Sequence, residues 1–212
     1  FLPDPMSFRC LQARTGTLVS GSVALQFFDR TRDDSSDLHL YVYPAYRRVI
    51  GWWLLHEGFR FVAGPGQANC FNVAILARKT TGLKLMPGVS SSYTFHREVD
   101  GHCARIQMMV ADRAPVEVVL SYHSTCMMNI IAYDKACCLF PRATLEDRLS
   151  LLCSSSEDRS QTWADMVPLC VPPSFHLLED LEWCAFVPPR NAPFYPFTLR
   201  GFGDANCWTI PL

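Results

Sequence analysis

Hydrophobic and polar positions along the chain follow two different periods, and each period predicts a different kind of element. Residues 37–42 (DLHLYV) alternate polar and apolar side chains, which is typical of a strand with one buried face. Between Pro44 and Gly58, apolar side chains recur at helical spacing, which predicts a helix that begins near the proline and ends before the glycine. The same patterns predict strands at residues 17–20, 59–63, 90–97, 103–111, 127–133 and 136–140, and helices at 23–28 and 116–122.

Strands and helices therefore mix along most of the chain, and we expect an α/β (α+β) fold with a mixed sheet flanked by helices. Asp100 and Gly101 separate two of the strands and form a strong hairpin turn signal. Residues 71–77 fit either a short helix or a strand. Further helices are predicted at residues 174–183 and after Thr144, where the apolar side chains are Leu145, Leu149 and Leu152.

The composition changes beyond residue 153. Residues 154–160 begin with consecutive serines, which is typical of a linker. Residues 161–212 are rich in proline and aromatic residues, and this segment cannot be one regular sheet or long helix because proline removes a backbone donor. We expect a main domain at 1–153, a linker at 154–160, and an irregular C-terminal strap at 161–212 that packs on the main domain. Alternatively, the strap docks on a protein partner.

The overall composition limits the classes of partner and location. The chain has 212 residues and a formal net charge of −1 at pH 7, without long runs of like charge, so it carries no strong nucleic-acid-binding signature. It is 49% hydrophobic, which suits a substantial core, and no apolar run reaches membrane-spanning length. The 10 cysteines are dispersed without a Cys-x-x-Cys pair. We interpret them as buried, reduced thiols, which favours an intracellular protein, cytoplasmic or nuclear.

Candidate chemistry is concentrated between residues 17 and 43. Gly21 and Ser22 stand between a predicted strand and a predicted helix. Glycine there allows the backbone to approach a ligand closely, and a helix start presents unpaired N–H groups that suit a phosphate. Asp37 and His39 lie two residues apart on the next strand, so their side chains share one face. An anion site facing two candidate metal ligands suits nucleotide-phosphate chemistry.

This order of features resembles the signature of the polymerase β-like nucleotidyltransferase superfamily, in which a Gly-Ser turn and a spacer helix precede a strand that carries two acids. The likeness is to a divergent fungal branch of that fold, and it extends to about Arg142. The resemblance implies a nucleotidyltransferase-like sheet in which Gly21 and Ser22 hold a nucleotide's triphosphate. It also implies that Asp37 and the residue at position 39 bind a divalent metal, magnesium or manganese.

The metal-binding acids of that family are incomplete in this chain. His39 stands where the family has its second acid, and Gln107 aligns with the third. The candidate metal ligands are therefore Asp37, His39 and Gln107, and the candidate catalytic residues are Asp37 and His39. Magnesium is held by several carboxylate oxygens, whereas an imidazole suits zinc, copper or nickel better. We predict a divergent nucleotidyltransferase-fold protein that is catalytically impaired and at most nucleotide-binding.

Other functions stay open at this point. One alternative is an active metal-dependent nucleotidyltransferase in which Asp33 or Asp34 replaces a missing acid. A second is a protein-interaction module without chemistry, which would use the C-terminal strap. A cysteine nucleophile at Cys126, with His123 as its base, is a weaker hypothesis than a packed thiol beside a histidine. A serine hydrolase is weaker still, because the chain has no Gly-x-Ser-x-Gly motif.

Overall fold

The computed structural model of the chain describes residues 2–77, 86–99, 101–153, 174–178 and 203–212. These residues form a mixed α/β fold around one large sheet. The helices are α1 (Pro5–Thr15), α2 (Ser22–Asp29), α3 (Arg47–His56), α4 (Phe71–Ala74) and α5 (Pro115–Leu120). The strands are β1 (Leu18–Ser20), β2 (Leu38–Val42), β3 (Arg60–Val62), β4 (Val89–Val99), β5 (His102–Ala111), β6 (Asn129–Ile131), β7 (Lys135–Cys138), β8 (Leu149–Leu151), β9 (His176–Leu178) and β10 (Trp208–Pro211).

The large sheet has eight strands in the order β10-β7-β6-β1-β2-β5-β4-β3. The pair β2 and β5 is parallel, and the neighbouring pairs β1–β2 and β4–β5 are antiparallel. The strands predicted at 17–20, 37–42 and 103–111 are thus adjacent strands of this sheet. The predicted hairpin is also confirmed, since β4 and β5 pair with each other and Gly101 adopts a positive φ between them. The expected mixed sheet flanked by helices is therefore present.

Alternation along the central strands divides the core between the two faces of the sheet. Leu38, Leu40 and Val42 of β2 belong to a buried cluster that also contains residues of α1, α3 and α4. Tyr41 points the other way and belongs to a second cluster with residues of α2 and α5. His39 lies on the same face as Tyr41 but is only partly buried. The second face is therefore the one that leaves room for a site at the start of β2.

The helix predicted after Thr144 is wrong beyond its first turn. Residues Arg142–Glu146 form a short π-helical segment, and Leu149–Leu151 then form β8. Backbone and side-chain hydrogen bonds explain the difference, because the Leu151 amide donates to Thr125 Oγ1 at 3.0 Å, and the strand pairs in parallel with β9. Leucines at helical spacing are equally compatible with a short strand once a pairing partner is present.

The helix predicted at residues 174–183 is likewise wrong where it can be checked. His176–Leu178 form β9, the partner of β8, and residues 179–183 lie outside the described part of the chain. Residues 71–77, for which the sequence left a helix and a strand open, begin with the short helix α4. Long-range strand pairing has overridden local helix propensity at residues 176–178, as happens when a segment is short.

The end of the C-terminal strap belongs to the large sheet. Residues Trp208–Pro211 form β10 and pair with β7 in an antiparallel register. Arg9 of α1 donates from Nε to the Tyr133 carbonyl at 3.0 Å and from Nη2 to the Leu212 carbonyl at 2.8 Å. The predicted linker at 154–160 lies outside the described residues.

In the described part of the chain, every helix is too short or too polar to cross a membrane.

Candidate functional site

The centre of the candidate site is a row of three side chains on adjacent strands. Ser20 of β1 is opposite His39 of β2, and His39 is opposite Gln107 of β5. Partners in register point to the same face of a sheet. Two of the three predicted metal ligands, His39 and Gln107, are therefore side by side.

Gly21 joins β1 to α2 in a conformation that suits only glycine. Its φ is 82° and its ψ is −154°, a region that residues with a Cβ essentially avoid. A Cβ built on Gly21 would lie 2.8 Å from His39 Nδ1 and 3.3 Å from Tyr122 Oη. The turn therefore packs directly against the imidazole ring, and the structure places Gly21 and His39 in one site.

Helix α2 begins immediately after this turn, with Ser22 as its first residue. No side chain caps the helix start, and its first intrahelical bond runs from the Leu25 amide to the Gly21 carbonyl at 3.1 Å. The preceding amides of the first turn have no acceptor within the helix, and a helix start favours negative charge. Gly21 and Ser22 thus have the local geometry expected of an anion-binding turn.

Asp37 is held by two donors from β5. Its Oδ1 accepts a hydrogen bond from Arg105 Nε at 2.5 Å, and its Oδ2 accepts one from Gln107 Nε2 at 2.7 Å. The side chain of Asp37 is 10% exposed, whereas that of Arg105 is 49% exposed. Gln107 is therefore beside Asp37, as a shared site requires, but it presents an N–H group to the carboxylate. A metal ion at Asp37 would have to displace these two donors.

The charges around Asp37 are linked. The hydrogen bond to Asp37 raises the pKa of Arg105 above its ordinary value. Burial lowers the pKa of His39, and the positive charge of Arg105 lowers it further, while the carboxylate of Asp37 acts in the opposite direction. The imidazole of His39 is therefore neutral at pH 7, and the site contains one ion pair with a neutral histidine beside it.

The two acids of the preceding loop are engaged elsewhere. Asp33 accepts hydrogen bonds from the amide and the hydroxyl of Ser35, at 2.9 and 2.6 Å, and these bonds lower its pKa. Asp34 forms an ion pair with Arg32 at 2.6 Å. Neither carboxylate has a hydrogen bond or ion pair with His39 or Asp37 in the described part of the chain. More generally, the described ranges contain no cluster of three or more His, Cys, Asp or Glu side chains arranged to hold a metal ion.

The alternative nucleophile is part of the core. Cys126 is fully buried, and its Sγ lies 3.7 Å from Ser124 Oγ. His123 is also buried, and burial lowers its pKa. This geometry is that of a packed thiol that a substrate does not reach.

Arg105 is the residue of the site whose role the sequence did not indicate. Strand alternation puts it on the same face as Gln107, but its partner Asp37 is distant along the chain and becomes adjacent only through the parallel pairing of β2 with β5. The sequence did not indicate Tyr122 either, because its partner Tyr41 is also distant along the chain. Its hydroxyl is hydrogen-bonded to that of Tyr41 and lies beside Gly21. Neither contact has a local sequence signal.

Neither a scan against protein-family models nor a search of the curated proteins finds a match to this chain. The resemblance to nucleotidyltransferases therefore rests on the Gly21-Ser22 turn and on the strand that carries Asp37 and His39.

Proposed function

We propose that this protein binds a nucleotide at the Gly21 turn and does not catalyse two-metal nucleotidyl transfer. The observation that carries the proposal is the state of Asp37. Asp37 directly precedes β2, whose His39 packs against the turn, but its carboxylate holds Arg105 and Gln107, at 2.5 and 2.7 Å, where a two-metal site needs further acids. In this proposal, the fold is that of a divergent nucleotidyltransferase.

Nucleotide binding is supported by the donors around the turn. The start of α2 offers backbone N–H groups, and Gly21 keeps the backbone free of a side chain at this point. Arg105 is half exposed and carries a permanent positive charge near the same end of the sheet. Backbone donors and a guanidinium are the groups that proteins commonly use for phosphate.

The absence of two-metal catalysis is supported by the chemistry of the donor set. Magnesium and manganese sites use hard oxygen ligands, usually several carboxylates, and two-metal catalysis needs both ions about 4 Å apart. The predicted ligands are one carboxylate, Asp37, a neutral imidazole, His39, and the amide of Gln107, whose N–H already binds that carboxylate. This set of residues does not suit a magnesium pair. An active enzyme that uses Asp33 or Asp34 would first have to break the hydrogen bonds of their loop.

The proposal is tested by calorimetric titration of the folded protein with the four common nucleoside triphosphates, with magnesium, with manganese and with EDTA. We expect binding of at least one nucleotide and no release of pyrophosphate in a parallel activity assay. A wild type that binds none of them would refute nucleotide binding. Pyrophosphate release that Asp37→Ala abolishes would refute the loss of catalysis.

A double substitution tests whether missing acids account for the loss. His39→Asp with Gln107→Asp places two carboxylates in register beside Asp37, and the greater negative potential should create magnesium-dependent nucleotide binding. The matched control is His39→Asn with Gln107→Asn, which has similar shape and no added charge. Circular dichroism verifies that both variants are folded. Equal magnesium dependence in the two variants would contradict the electrostatic explanation.

A further inference from the structure

Three basic side chains lie in register across the strands next to Asp37. Arg60 of β3 is opposite His96 of β4, and His96 is opposite Arg105 of β5. Directly opposed residues of antiparallel strands share a face, and neighbouring strands are about 4.8 Å apart. Arg60, His96 and Arg105, here called the basic row, therefore span about 10 Å on one face of the sheet and end at the ion pair with Asp37.

The basic row is on the less covered face of these strands. Tyr93 and Phe95 of β4 point to the opposite face and are buried in the core. On the face of the row, Arg60 and Arg105 are exposed and His96 is partly buried. The Nε2 atom of His96 is itself buried and has no hydrogen-bond partner among the described residues. The row thus contains a polar atom that the described protein leaves unsatisfied, which calls for a partner.

Arg105 is oriented by its contact with Asp37. A guanidinium has five N–H donors in one plane, and the bond from Nε to Asp37 fixes that plane. Within the described ranges, no hydrogen bond or ion pair engages the two terminal nitrogens, Nη1 and Nη2. Two parallel N–H donors on a fixed plane match two oxygens of a phosphate, as in other bidentate arginine contacts.

The acids near the row leave a positive charge at its outer end. Asp37 compensates Arg105, and Glu98, which is exposed, lies on the same face of β4 two residues from His96. Arg60 has no ion-pair partner in the described part of the chain. An anion would therefore be held mainly by the oriented donors of Arg105 and by the charge of Arg60, and less by the net charge of the face.

We infer that the basic row binds the phosphate chain of a di- or triphosphate ligand without a divalent cation. This rests on the proposed function in that the ligand is phosphorylated, and it adds that arginine supplies the positive charge of the site. Asp37 is then a positioning residue for Arg105. Magnesium, which binds polyphosphate in solution and lowers its charge, should weaken the interaction or leave it unchanged.

The test is calorimetry in EDTA at low salt with two probes, sodium tripolyphosphate and ATP. The wild type should bind tripolyphosphate, Arg105→Gln should lower the affinity at least tenfold, and Arg60→Gln should lower it several-fold. Arg105→Lys should restore only part of the affinity, since an ammonium keeps the charge but lacks the planar fork. Arg113→Gln is the matched control, because Arg113 is an exposed arginine paired with Glu117 outside the row, and its affinity should equal that of the wild type.

The two probes separate this inference from the proposed function. Binding of tripolyphosphate but not of ATP, with loss in Arg105→Gln, would support the basic row and refute nucleotide binding. Binding of ATP that needs magnesium, or that Arg105→Gln leaves intact, would overturn the inference while nucleotide binding stands. Absence of binding to either probe overturns both. A loss of the same size in Arg113→Gln would also overturn the inference, because any surface arginine would then suffice.

Discussion

Replacing Gly21 with alanine should destabilise the fold by more than its conformation alone requires. The backbone at Gly21 has φ 82° and ψ −154°, and holding a residue with a Cβ in such a region costs about 1–3 kcal/mol. The new Cβ would also lie 2.8 Å from His39 Nδ1 and 3.3 Å from Tyr122 Oη. Overpacking of this kind costs about 1–3 kcal/mol more. We therefore expect a loss of about 2–6 kcal/mol in the free energy of unfolding.

The matched control is Gly101→Ala. Gly101 also has a positive φ, of 79°, but a Cβ built there would meet no atom within 4 Å among the described residues other than its chain neighbours. Only the conformational cost applies at this position, so the control should lose about 1–3 kcal/mol. Urea unfolding followed by circular dichroism measures both values, and an unchanged m value shows that the unfolded states are comparable.

A double-mutant cycle identifies the source of the extra cost. His39→Ala removes the ring that the new Cβ would meet. The double variant Gly21→Ala with His39→Ala should therefore lose less free energy of unfolding than the two single variants together, by about 1 kcal/mol or more. Equal losses for Gly21→Ala and Gly101→Ala would refute the packing of the turn on His39. Strict additivity in the cycle would refute it as well.

Two further predictions concern the core and the histidines. Gly51→Ala should destabilise the protein by about 1–3 kcal/mol in urea unfolding, because the new Cβ would lie 2.0 Å from Phe71 Cζ. This loss is expected although alanine is the better helix former by about 1 kcal/mol. Adding Phe71→Leu to the same chain should recover part of the loss, and a stabilised Gly51→Ala variant would contradict this contact. Burial lowers the pKa of His39 and of His123 below the ordinary 6.5, so the unfolded chain binds more protons than the folded chain below that pH. The free energy of unfolding should therefore be highest above about pH 6.5. It should fall as the pH is lowered, by up to about 1.4 kcal/mol per pH unit for each histidine. Urea unfolding at pH 7.5 and 5.5 measures this fall, and His123→Asn should reduce it; a pH-independent stability would show that neither imidazole is kept neutral by the fold.

The central strands could be predicted because their signals are local. Residues 37–42 alternate polar and apolar side chains, and Asp100-Gly101 specifies the hairpin between β4 and β5. The strands β8 and β9 could not be predicted in the same way. Each has three residues, and their strand character comes from pairing with each other. Apolar spacing alone does not distinguish such short strands from helical turns.

Within the candidate site, the sequence predicts only the relation between residues of a single strand. Asp37 and His39 share a face because they lie two residues apart, and the sequence suffices for that statement. The ion pair between Asp37 and Arg105 joins residues 68 positions apart, and it depends on the register of the parallel pair β2 and β5. Register between distant strands is set by the packing of the whole sheet. The metal-ligand set of Asp37, His39 and Gln107 stays a prediction, and the register adds an ion pair between Asp37 and Arg105 that the strand pattern does not predict.

The position of β10 has a consequence for the synthesis of this protein. Strand β7 ends at Cys138, and the strand that covers its outer edge begins only at Trp208. At about 5–20 residues per second, a ribosome needs about 4–14 s to make the intervening chain. During that interval the edge of β7 presents unpaired backbone groups to other nascent chains, which is the condition under which strands aggregate. Pairing of β10 thus completes this edge of the sheet late in synthesis, and chaperone protection of β7 is most needed before β10 emerges.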